Sequence, residues 1–143
     1  MTVVDLSPRQ IIESILADIH EMIDIMNTEF SLRSFEARVK LECFYDKLKD
    51  FADKREIFDP SEVKEYHLEF STLLTYHSEL RKLHVVAIWR PMLTKESLLM
   101  KQFERLAEQR NLSLEESKER DELKKYVDFL KEAYEKGLAA LRN

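Results

Sequence analysis

The chain has 143 residues, of which 44% are hydrophobic and 36% charged, with a formal net charge of −5. That length and apolar content are enough for one domain with its own core, without disulfides or metals, and they exclude a disordered polar chain. One glycine (Gly137) and three prolines (Pro8, Pro60, Pro91) are too few for sheets joined by tight hairpins, so the composition predicts helices linked by short polar turns.

The first helix is announced by Ser7-Pro8-Arg9-Gln10, with a hydroxyl acceptor at the N-cap, proline at the first helical position and glutamine at the third. Behind it Ile12, Ile15, Leu16, Ile19, Met22, Ile23, Met26 and Phe30 recur at helical spacing, and Ile11 and Ile25 widen that apolar face enough to touch two neighbours. Residues 1–30 carry six acids against Arg9 alone, and the rest of the chain is neutral. The charge excess therefore belongs to the first helix, where Asp18, Glu21 and Asp24 form a candidate acidic face for docking a basic partner.

Polar turn-favouring residues at Asn27, Thr28, Ser31 and Ser34 predict a turn near 28–32. A second helix follows to about Ile57, with Phe35, Val39, Leu41, Phe44, Leu48 and Phe51 turned inward. Cys43, the only cysteine, reads as a buried inert thiol in mid-helix rather than a nucleophile. With no partner for a disulfide, an intracellular, cytoplasmic location is expected.

Asp59-Pro60-Ser61-Glu62 opens a third helix. Pro91 disfavours helical geometry at Arg90 and is expected to end it. A fourth helix then spans about 94–110, and Ser113-Leu114-Glu115-Glu116 starts the last one by a third capping box. The expected fold is all-α: an antiparallel bundle of four to five long amphipathic helices with short connections. It forms a single domain, 1–143, with helices near 8–29, 32–57, 60–90, 94–110 and 113–141.

Signals for chemistry are mostly missing. No Glu-x-x-His pairs of the ferritin type occur, no His-Glu-x-x-His, and no glycine-rich phosphate loop. No catalytic residue, metal ligand or cofactor is therefore assigned, and an enzyme is not expected. His77 and His84, seven apart with Arg81 between them, could share a helix face, but half-buried histidines beside a core explain them more simply. No apolar run reaches the length of a membrane span, and the N-terminus lacks a signal-peptide pattern. Six amide residues against 51 charged ones resemble the balance found in proteins of hot environments.

The stretch Leu83–Leu93 is apolar around most of a helix, which demands cover on all sides. Val85, Val86, Trp89, Met92 and Leu93 are accordingly the candidate interface of a protein-protein interaction or self-assembly module, with a protein partner that includes a second copy of the chain. The competing expectation is a nucleic-acid-associated regulatory factor using a basic strip of Arg81, Lys82, Arg90, Lys95, Lys101 and Arg105. The net negative charge disfavours it.

Overall fold

The computed structural model describes residues 6–29 and 31–142 and is all-α. Five helices follow one another: α1 (Pro8–Thr28), α2 (Phe35–Lys54), α3 (Pro60–Tyr76), α4 (Ser78–Gln109) and α5 (Leu114–Arg142). The chain divides into two compact units, Met1–Ala87 and Ile88–Asn143, with the division falling inside α4. Among the described residues no helix is long and apolar enough to cross a membrane.

In the first unit α1, α2 and α3 pack on one another. The helix start at Pro8 is a complete capping box: the Gln10 N–H donates to Ser7 Oγ (3.2 Å) and the Ser7 N–H to Gln10 Oε1 (2.9 Å). The expected apolar face of α1 is buried or half-buried throughout, with Ile12, Ile19, Met22 and Ile25 fully enclosed. Phe30, expected to extend that face, lies outside the described residues.

Six residues separate α1 from α2 where a turn was expected, and Ser34 caps α2 by accepting from the Ala37 N–H at 3.1 Å. The inward series of α2 is Ala37, Leu41, Phe44, Leu48 and Phe51, alternating steps of four and three. Phe35 and Val39 were expected on that face but fall off the series; Phe35 is 78% exposed. Cys43, expected to be buried, is exposed for the same reason: it precedes Phe44 by about 100° of helix rotation.

Asp59 caps α3 through the Ser61 N–H (3.0 Å). Phe58, in the short α2–α3 connection, tilts onto Phe51 (5.2 Å between centroids) and lies under the Arg9 guanidinium (4.6 Å). Arg9 also donates to the Glu56 carbonyl at 2.8 Å. This connection is thereby held against the first turn of α1, so the N-terminal ends of α1 and α3 lie at the same end of the unit.

Two boundaries differ from expectation. The third helix ends at Tyr76, and His77 adopts extended geometry (φ −115°, ψ 100°). Pro91 lies inside α4 and does not end it. The break at His77 contains neither glycine nor proline, and a long-range contact lies beside it. The Glu79 carboxylate, in the first turn of α4, accepts from the backbone N–H groups of Arg33 (2.9 Å) and Ser34 (3.0 Å) in the α1–α2 connection. Those donors precede a helix and have no intrahelical acceptor. The bias against helix before proline is a preference and not a prohibition, so α4 continues past Pro91 while losing the hydrogen bond that residue 91 would have given the Ala87 carbonyl.

The second unit holds the rest of α4 and α5, joined by a four-residue turn. Its centre is the third expected capping box. Glu116 N–H donates to Ser113 Oγ (3.1 Å) and the Ser113 N–H to Glu116 Oε1 (2.9 Å), while Arg110 grips both carboxylate oxygens at 2.8 and 2.7 Å. The Arg110 fork, followed by the Ser113 N–H, holds the Glu116 carboxyl down to about 2 from an ordinary 4.5. A depressed folded-state value means that this contribution to stability is complete above pH 4.5 and is lost as the pH falls toward 2. An NMR titration should find the Glu116 midpoint near 2 and, in Arg110→Ala, shifted up toward the ordinary carboxylate range. An unshifted midpoint in the wild type would contradict the bidentate clamp. Glu36 and Glu132 are also lowered, chiefly by hydrogen bonds from Lys40 and Lys136 one turn away, and such exposed pairs add little to stability.

Candidate functional site

Two features of the molecule have the make-up of a site, one in each unit. The first is a cleft of about 660 Å³ in the first unit, between α1 and α3. Ile11 and Ile15 from α1 and Val63, Phe70 and Leu74 from α3 make it largely apolar. Its polar groups are Ser14 and Asp18 on α1, Lys64, His67 and Ser71 on α3, and His84 from α4. The size and make-up are those of small-ligand pockets, which are mostly apolar with a few convergent polar groups.

Asp18 and His84 are held together: His84 Nε2 lies 3.2 Å from Asp18 Oδ2, and the imidazole meets Phe70 edge-on at 5.4 Å between centroids. A carboxylate-oriented imidazole is two-thirds of a nucleophile-activating triad, but no hydroxyl hydrogen-bonds to His84 among the described residues, although Ser14 and Ser71 line the same cleft. His77 is not part of this arrangement. Because it occupies the break between α3 and α4, it does not share a helix face with His84. No group of three potential metal-binding side chains occurs among the described residues.

The candidate acidic face is only partly a surface. Asp18, Glu21 and Asp24 are all half-buried; Asp18 is committed to His84, and Glu21 and Asp24 also have interaction partners. All six residues of the candidate basic strip lie on α4. At roughly 100° per residue, Arg90, Lys101 and Arg105 fall within about 60° of one another and Lys95 is turned about 80–140° away from them, so these four do not line up.

Of the candidate interface, Val86 is fully buried and Val85 exposed in the first unit, whereas in the second Met92 is exposed and Trp89 and Leu93 are half-buried. Trp89 meets Phe129 of α5 edge-on at 6.0 Å. The continuation of α4 past Pro91 uncovers a second feature. Ile88, Met92, Lys95, Leu99, Gln102 and Leu106 follow one another at alternating steps of four and three, so they form one narrow stripe along the helix. Ile88, Met92 and Leu99 are 41%, 38% and 42% exposed, unusual for large side chains in heptad register.

Comparison with known proteins adds nothing to this geometry. The chain matches no family model, no curated protein and no solved structure. The functional reading therefore rests on the residues themselves. The stripe is visible in the sequence as a run of three-and-four spacings, but an expected helix break at Pro91 cuts it in two. The Asp18–His84 pair spans 66 positions, and no local pattern signals it.

Proposed function

We propose that this chain is a non-enzymatic helical interaction protein that self-associates through the Ile88–Leu106 stripe of α4. The observation behind the proposal is the combination of heptad spacing with exposure. A seam of this spacing is the complement of another helix, and the second unit, in which only Val127, Leu130 and Leu141 are buried among the described residues, leaves much of its apolar surface in water at a cost of about 25 cal/mol per Å².

The pattern also favours a second copy in an antiparallel arrangement. Met92, Leu99 and Leu106 occupy one heptad position and Ile88, Lys95 and Gln102 the other. Pairing two copies in parallel would set Lys95 against Lys95 of the partner subunit, a like-charge contact in the middle of the seam. An antiparallel two-fold arrangement centred between Lys95 and Leu99 instead sets Lys95 beside the partner's Leu99 and Ile88 beside the partner's Leu106. Such an isologous interface is closed and self-complementary, and polar residues in a seam, here Lys95 and Gln102, fix register at some expense of stability.

Leu99→Glu would place a charge in the centre of the seam and is expected to weaken association by at least 100-fold, about 3 kcal/mol. Leu114→Glu, at a position 89% exposed and off the stripe, should leave it unchanged. Size-exclusion chromatography over a concentration series distinguishes them. Equal elution of wild type and Leu99→Glu at all concentrations would refute the seam.

A further inference from the structure

The α1–α3 cleft belongs to the other unit and is independent of the seam. Its polar groups are unevenly distributed. At the inner end Asp18 and His84 satisfy one another. Toward the other end, Lys64 forms no ion pair among the described residues. The sequence explains why: the positions three and four residues to either side of Lys64 on α3 are Pro60, Ser61, His67 and Leu68, none of them acidic. His67, one turn on, lines the cleft beside it.

The backbone adds to this asymmetry. Pro8 and Pro60, the first residues of α1 and α3, both line the cleft, so two helix N-termini end there. The first turn of α1 carries no acidic residue, so the positive end of its dipole is not neutralised by its own side chains. The α1 cap is the neutral Ser7 hydroxyl, whereas the α3 end is capped by the Asp59 carboxylate and contributes less. One end of an apolar cleft thus combines a cation, an imidazole and a helix N-terminus. Along α1 the distance from Pro8 to Asp18 is roughly 15 Å at 1.5 Å per residue, long enough for an extended medium-chain tail.

We infer that the cleft between α1 and α3 binds a small amphipathic anion, a medium-chain monocarboxylate, with its carboxylate at Lys64 and His67 and its tail along Ile11, Ile15, Phe70 and Leu74. Lys64 supplies charge recognition without losing an existing ion pair. The apolar walls supply most of the affinity, and the Asp18–His84 pair closes the inner end with polar groups that already satisfy each other, where a second charge would not be welcome.

The test is a titration of the full chain with decanoate below its micelle threshold, followed by amide chemical shifts and calorimetry, with decanol as the uncharged counterpart. Saturable binding of one decanoate per chain is expected, with shifts concentrated on α1 and α3. Lys64→Ala should weaken decanoate about three- to tenfold while leaving decanol unchanged, since an exposed cation contributes modestly. Ser14→Trp, at an exposed position on the cleft wall, should weaken both ligands at least tenfold by filling the space. Absence of saturable binding would overturn the inference, as would shifts confined to α4 and α5, which would mean that the tail adsorbs to the seam. Decanoate and decanol binding that respond alike to Lys64→Ala would overturn the assignment of an anion.

Discussion

Phe70→Ala is expected to lower the unfolding free energy by about 3–5 kcal/mol, the range for deleting a buried aromatic ring. Phe70 is 5% exposed and is where three helices meet: it stacks on Phe44 of α2 at 5.9 Å between centroids, and His84 of α4 meets it edge-on. Removing the ring takes away its apolar burial and both ring contacts, and the neighbouring cleft gives the surroundings no reason to collapse around the void. Urea unfolding followed by circular dichroism measures the effect, and Phe70→Leu, which keeps much of the volume, should lose less. A loss below about 1 kcal/mol for the alanine variant would mean that Phe70 does not join these helices.

The second large effect belongs to Glu79. Glu79→Ala should lower stability by about 2 kcal/mol, because hydrogen bonds to a charged acceptor contribute more than neutral ones and two backbone donors would lose theirs. Glu79→Gln keeps one acceptor oxygen and should fall in between. Amide exchange gives a residue-level reading: the Arg33 and Ser34 N–H groups should exchange markedly faster in Glu79→Ala. Unchanged protection at both would show that water satisfies them equally well.

The helix starts were legible in the sequence because caps are local. Ser7, Asp59 and Ser113 each meet their donor within three residues, so the chemistry that starts the helix is written beside it. The α1 face was legible for a similar reason: a broad apolar stripe at helical spacing leaves one way to bury it. The break at His77 was not legible. The contact beside it joins Glu79 to donors more than forty residues earlier in the chain, and nothing in Tyr76-His77-Ser78 marks it. The reading of Pro91 as a terminator shows the converse, a local bias overruled by a helix whose packing residues Leu80, Leu83, Val86 and Ala87 are already committed before the proline is reached.

The same error hid the seam. With α4 divided at Pro91, Ile88 and Met92 fall in the apolar stretch before and just after the break, and Leu99 and Leu106 in a separate helix. With α4 continuous they are one stripe, and Lys95, a member of the expected basic strip, becomes a polar position within it. The cleft was illegible for a different reason: it arises from how α1 and α3 pack, and each of its residues is unremarkable on its own helix.

Self-association through α4 is tested most directly by sedimentation equilibrium of the unmodified chain across a wide concentration range. The seam predicts a reversible, concentration-dependent rise from the 17.1 kDa monomer to twice that mass and no further, because an antiparallel two-fold contact is closed. A single species of monomer mass at every concentration would contradict it.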